Sequence, residues 1–260
     1  MPRFSANLGF LWPDRPLLDQ IEAAAKAGFK AIELHWPYDT DPAAVRAACA
    51  RHGIQVLGVN TVRGDLAKGE SGLGALAGRQ AEFQAAIDQS IAWAVAAGGT
   101  SIHAMAGLVG PADIPVATAV FADNLRIAAD KAAAHGLTIL LEPLNPRAAP
   151  GYFYSTLRGA GEMIARTAKP NIKIMFDVFH VGVAEGDILT KLEYWLPHIG
   201  HVQIAAVPSR AEPDEGEVHF PAVFAALDRL GYSGWVGAEY RPRAGTEEGL
   251  SWVKTLGVTL

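Results

Sequence analysis

Ile139-Leu-Leu-Glu-Pro143 is a short apolar run that stops on a carboxylate, and the pattern recurs in Ile174-Met-Phe-Asp177, His201-Val-Gln203 and Val236-Gly-Ala-Glu239. Each run has the length and apolar content of a buried β-strand. The polar residues that end them, Glu142, Asp177, Gln203 and Glu239, are separated by 35, 26 and 36 residues, room for one helix and its loops each time. A carboxylate that ends an apolar run either takes up a proton or finds a cation, because burial without a partner is costly.

The same interval extends back to the start of the chain. β-type runs at 3–9, 31–36, 55–61, 101–106, 138–144, 172–178, 201–206 and 235–240 alternate with helical patterns, clearest at 17–27 and 120–135, where apolar residues recur near every 3.6 positions. Gly28, Gly53, Gly136 and Gly231 stand where helices should end. Eight strand-helix units predict an α/β fold, a single-domain (β/α)8 TIM barrel over residues 1–260, with no linker or low-complexity stretch dividing it.

The composition narrows the partners. A chain of 260 residues, half of them hydrophobic, can bury a large core. Net charge −5 with no Lys/Arg cluster gives no footprint for nucleic acid. The single cysteine, Cys49, lies in a predicted helix, so neither a disulfide framework nor a thiolate metal site is expected, and a reducing cytoplasm is the expected compartment. The apolar helical stretch around 91–97 is far shorter than the roughly 20 residues a bilayer requires. The opening run from Met1 to Leu8 reads as a strand, not as a secretory signal, and no membrane partner is expected.

Alternate side chains of a barrel strand face inward, so Glu142 should share a face with Leu140, Asp177 with Met175, Gln203 with His201 and Glu239 with Gly237. All four polar groups then reach the carboxyl-terminal rim, where barrel enzymes carry their sites. Oxygen donors without thiolate favour a hard divalent metal, Mg2+ or Mn2+, and remain compatible with Co2+ or Zn2+. His180, three residues beyond Asp177 where strand is expected to give way to loop, can bond a substrate oxygen or orient a ligand. Arg210, seven residues after Gln203, offers a fork of donors to an anion. His103 reads as a barrel-interior residue, and Arg241 and Arg243 as surface charges. The glycine-rich stretch 62–78, with Arg63, Asp65, Lys68 and Glu70, has neither a phosphate-loop ending nor a nucleophile elbow and reads as a lid over a small substrate or a flexible insertion. Phe10, Trp12 and Trp36, at the ends of the first two strands, either wall a pocket or pack the core.

Several segments together resemble the hydroxypyruvate isomerase family of the xylose-isomerase-like TIM barrels: Pro2-Arg-Phe-Ser-Ala-Asn-Leu8, the loop from Gly64 to Leu76, Asp177-Val-Phe-His180, His201-Val-Gln-Ile-Ala205, Glu212-Pro-Asp-Glu-Gly-Glu217, Gly237-Ala-Glu-Tyr-Arg-Pro-Arg243 and Thr246-Glu-Glu-Gly-Leu250. The resemblance spans nearly the whole chain. It implies that Glu142, Asp177, Gln203 and Glu239 are metal ligands, that Glu142 and Glu239 are also the acid/base pair, and that His180 and Arg210 contact substrate. The implied reaction isomerises a small hydroxy-oxo acid or short sugar acid, typified by hydroxypyruvate and 2-hydroxy-3-oxopropanoate, through an enediolate. Arg63 from the lid joins Arg210 as a candidate for the substrate carboxylate, and a homodimer or homotetramer is implied. Leu8-Gly-Phe-Leu-Trp12 and Glu33-Leu-His-Trp-Pro-Tyr38 depart from the family's versions of these two strand ends, which border the substrate.

Rival readings share the same residues. A 2-oxo-tetronate isomerase or a ketose 3-epimerase or sugar isomerase of the superfamily would need the same carboxylates and metal, although Gln203 in place of histidine leans toward the hydroxypyruvate branch. Metal-independent glycoside hydrolysis by paired carboxylates and a non-catalytic binding barrel are the readings from other classes.

Overall fold

In the computed structural model, which describes all 260 residues, the apolar runs form parallel strands in one sheet. They are β1 (Arg3–Asn7), β2 (Ala31–Glu33), β3 (Gln55–Val56), β4 (Gly58–Asn60), β5 (Ser101–His103), β6 (Thr138–Leu141), β7 (Ile172–Asp177), β8 (Ile199–Ile204) and β9 (Trp235–Ala238). Their order is β3-β2-β1-β9-β8-β7-β6-β5-β4. The two outer members are halves of one strand broken at Leu57, whose amide donates to Ile32 O at 2.8 Å while its carbonyl accepts from the amides of Thr100 and Ser101, each at 2.9 Å. The side-chain hydroxyls of Thr100 and Ser101 donate to that same carbonyl, at 2.8 and 3.0 Å, which explains the local break. Counting the pair as one, eight staves close into the barrel that the periodicity predicts.

Helices cover the outside because their apolar stripes match the sheet. Ile114–Ala133 buries Ala117, Phe121, Leu125, Ala128 and Ala132, one face of a 3.6-residue repeat. At the seam between the first and last strands, Phe4 of β1 meets Phe224 and Trp252 edge-on, with ring centres 5.2 and 5.5 Å away. Helix ends are fixed locally: Asp41 caps Pro42–His52 by accepting from Ala43 N at 3.1 Å, and Gly53 ends it at φ 64°, which only glycine adopts without strain.

The strands stop earlier than their apolar runs do. Glu142 and Glu239 each lie one residue beyond a ladder, on backbone already turning into the rim loops. The segment after β7 is not loop, as the sequence suggested, but the helix Val178–Ala184, whose first turn is capped by Asp177 Oδ1 accepting from Phe179 N at 2.8 Å. Trp12 is core, 1% exposed and edge-on to Phe29 at 6.4 Å, and does not wall a pocket. Arg243 is no free surface charge: its guanidinium pairs with buried Glu212 at 2.9 Å, Asp214 at 2.7 Å and Glu215 at 2.8 Å, tying the loop after β8 to the loop after β9.

Candidate active site

Register brings the four strand-end groups to one level of the barrel. Asp177 pairs with Gln203 across β7 and β8, and Gln203 with Gly237 across β8 and β9. All four are buried, none more than 6% exposed. Ligand atoms of Glu142, Asp177 and His180 lie within 4.8 Å of one another. Arg210 Nη2 stands 2.7 Å from Glu239 Oε1 and 3.9 Å from Asp177 Oδ2, so those two carboxylates flank a single nitrogen. Gln203 donates to Glu239 Oε2, and so does Asn7 Nδ2, at 2.9 Å. Below the cluster, Leu140, Met175 and His201 line the barrel axis around a cavity of about 30 Å³, as strand alternation predicted.

Three carboxylates this close resist ionising together. Burial, then the charges of Glu239 and Asp177, push the Glu142 carboxyl well above its ordinary range. Burial and the Glu239 charge push Asp177 up to about 7. Burial also opposes ionisation of Glu239, but neighbouring His35 and Arg210 outweigh it and hold that carboxyl down at about 2. Arg210 thus offsets the Glu239 charge, while Glu142 and Asp177 tend to keep their protons.

Glu142 Oε1, Asp177 Oδ2 and Gln203 Oε1 are buried and have no hydrogen-bond partner, although buried polar atoms are normally satisfied. Three of the four expected ligands thus each present one unused oxygen, a set suited to a hard divalent cation. His180 is not part of that set. Its Nδ1 accepts from the amide of Asn145 at 2.8 Å, and burial lowers its pKa to about 3, so the ring is neutral with its proton on Nε2. That N–H is buried without a partner, 3.7 Å from Glu142 Oε1 and 3.6 Å from Asp177 Oδ2.

The other expected residues divide. Arg210 reaches the cluster with its guanidinium beside the rings of Phe10 and Phe179, 4.8 and 5.0 Å from their centres, and its Nε is buried without a partner. His103 is interior, with Nδ1 3.5 Å from Glu142 Oε2. Arg63 does not reach the carboxylates: it stacks on Trp36 at 4.1 Å, and Trp36 in turn packs on His35. The stretch 62–78 is partly tied down, because Gly74 N and Ala75 N bond Met105 O and Ala106 O, and Arg79 holds Glu70 at 2.6 Å. Its outer part, near exposed Leu66, has no such tie to the barrel. Three groups went unmarked in the sequence: Asn7, His35 and the buried pair Glu33 and His201, 3.0 Å apart. The His201 imidazolium is disfavoured by burial, but Glu33 outweighs that and raises its pKa. Glu33 did carry the general signal, an acid at the end of the apolar Ala31-Ile-Glu33.

Known proteins share this fold. The xylose isomerase-like TIM barrel family model matches residues 21–256. A 2-oxo-tetronate isomerase of Cupriavidus necator is 44% identical, with 98% of each chain aligned. The hydroxypyruvate isomerase of Escherichia coli is 34% identical over 97% of this chain and 98% of its own. A crystal structure of an AP endonuclease, family 2, from Brucella melitensis superposes with TM-score 0.95 at 40% identity, covering 98% of this chain and 99% of the other. The chain belongs to the xylose isomerase-like TIM barrel family and, with isomerases matching it end to end, is an isomerase of that family.

Proposed function

We propose that the protein interconverts a 2-oxo-3-hydroxy acid with its 2-hydroxy-3-oxo isomer, using a divalent metal, Mg2+ or Mn2+, held by Glu142, Asp177, Gln203 and Glu239. The observation that carries this reading is the trio of unpartnered buried oxygens on Glu142, Asp177 and Gln203 beside the Glu239 carboxylate. A bound divalent cation supplies Lewis-acid stabilisation of negative charge on substrate oxygen.

The remaining work falls to side chains. Shifting a carbonyl from C2 to C3 removes a proton from C3 and returns one to C2, with an enediolate between. Glu142 and Glu239 follow β6 and β9, with the two staves that carry Asp177 and Gln203 between them, so their carboxyls approach a substrate from different sides. One takes the proton and the other returns it, each worth about 100- to 10,000-fold when well placed. The unpartnered Nε of Arg210 is available to the substrate carboxylate, with Phe10 and Phe179 fixing the plane of the guanidinium. His180 Nε2–H donates to an enediolate oxygen. Asn7 and Gln203 hold Glu239 in place.

Hydroxypyruvate is the three-carbon substrate of this class. The four-carbon case, 2-oxo-tetronate, is favoured by the 44% identity to an isomerase of that name. An endonuclease role is not supported, since a chain of net charge −5 with a carboxylate-lined rim repels a polyanion. The test is a chelator-stripped preparation assayed on hydroxypyruvate and 2-oxo-tetronate with Mg2+ or Mn2+ returned. Activity should disappear on stripping, return with metal, and be accompanied by solvent deuterium in the product. Full turnover without metal on either acid would overturn the proposal.

A further inference from the structure

Beneath the rim lies a carboxylate that the proposed reaction does not use. Glu33, at the end of β2, is 5% exposed and points into the barrel. Its Oε2 accepts from Gln203 Nε2 at 2.8 Å and from His201 Nε2 at 3.0 Å, and its Oε1 accepts from Ser5 Oγ at 3.3 Å. The barrel makes room for it: a Cβ at Gly237 would stand 1.8 Å from Glu33 Oε1. Two strands and a glycine are thus arranged around an acid with no counterpart on the substrate.

The consequence falls on Gln203. A glutamine amide has two chemically different ends, and only its oxygen can ligate a cation. Gln203 Nε2 is held between two carboxylate oxygens, Glu33 Oε2 and Glu239 Oε2. Turning the amide over would place its oxygen against both, so the nitrogen is locked inward. Its Oε1 is left buried and unpartnered at the level of Asp177. Glu239 alone cannot enforce this if its oxygens also serve the ion. Glu33, one layer deeper, can.

We infer that Glu33 is a positioning residue that fixes the amide of Gln203 so that its oxygen, and not its nitrogen, faces the metal site, with His201 and Ser5 holding Glu33 in turn. The inference rests on the metal reading proposed above. Outer groups of this kind typically change metal affinity by about 10- to 100-fold when removed.

The test compares wild type, Glu33→Gln and the exchange Glu33→Gln/Gln203→Glu, each checked for folding by circular dichroism. In the single variant Gln203 faces a neutral amide that can present either end, so the charge that holds its nitrogen inward is lost. In the exchange the bond is restored with donor and acceptor reversed, and position 203 presents an oxygen whichever way it turns. Mn2+ titration of metal-free protein should show Glu33→Gln weakened about 10- to 100-fold and the exchange recovering most of that loss. Gln203→Glu, titrated alone, measures what the added carboxylate gives by itself; a purely structural role would give the exchange no recovery beyond that. The Gln203 side-chain amide is followed in parallel by nitrogen-15 NMR on metal-free protein. It should give two distinct, exchange-protected proton signals in wild type that broaden or lose protection in Glu33→Gln. Equal Mn2+ affinity of wild type and Glu33→Gln overturns the inference. If wild type binds no Mn2+, the metal reading fails by itself, and an amide signal unchanged in Glu33→Gln then overturns the positioning role as well.

Discussion

Arg210 divides its guanidinium between two tasks: Nη2 pairs with Glu239 Oε1 at 2.7 Å, and Nε is buried without a partner. Its fork was legible as an anion binder. That it also neutralises Glu239, from backbone at φ 60° and beside two phenylalanine rings, was not, because these contacts join the loops after β1, β8 and β9 to the helix after β7, all distant in sequence. Arg210→Lys keeps the charge but loses Nε and the stacked plane. A charge-assisted bond is worth about 1.5–3 kcal/mol, so kcat/KM on an anionic substrate should fall about 10- to 100-fold, mainly through KM; unchanged steady-state constants would remove Arg210 from substrate binding. Proton linkage gives a second prediction. With burial holding the Asp177 proton up to about 7 and pushing the Glu142 carboxyl above its ordinary range in the free protein, an ion must displace protons to bind. Affinity is therefore greatest above about 7 and declines as pH falls through it. Mn2+ titrations at pH 8 and pH 6 should differ by about tenfold or more, and equal affinities would refute the linkage. Glu142, Asp177, Gln203 and Glu239 could be picked out in the sequence because each interrupts an apolar run; Glu33 obeys the same rule, but its three-residue strand and aromatic neighbours concealed it.

At the scale of elements, strands and helices were legible and their ends were not. Apolar character continues past the last ladder bond, so 138–144 and 235–240 read as strand where the chain has already turned toward the site. Val178-Phe-His-Val-Gly-Val-Ala184 reads as the change from strand to loop, because its β-branched residues and glycine are weak helix formers, yet the Asp177 cap and packing against the barrel make it helical. The rim stretch 62–78 could not be divided from sequence into fixed and free parts, since the division depends on bonds to the loop after β5 and on Arg79. Arg79→Ala should release Glu70 and the outer part of this stretch while leaving the barrel intact. Limited trypsin digestion should then cut faster at Arg63 and Lys68 with little change in melting temperature, and saturating substrate should slow the cleavage. A digestion pattern identical to wild type would mean that the ion pair does not restrain the loop.

Across the whole molecule, the closing of the barrel places the chemistry. The expected ligands all come from β6 to β9, but Asn7 and Glu33, which orient two of them, come from β1 and β2 on the far side of the seam. Eight alternating units announced a barrel, while its seam pairing and the split strand at Leu57 emerge only from tertiary bonds. Phe4 sits on that seam, fully buried between Phe224 and Trp252. Phe4→Ala should lower unfolding free energy by about 3–5 kcal/mol in a denaturant titration, and a loss below 1 kcal/mol would show that the seam is not a principal contributor. The central claim, that one ion is gripped by four groups from successive staves, has a direct test in the anomalous difference map of a Mn2+-soaked crystal. The account predicts a single strong peak at about 2.0–2.4 Å from oxygens of Glu142, Asp177, Gln203 and Glu239; a peak elsewhere, or none at these four side chains at saturating Mn2+, would contradict it.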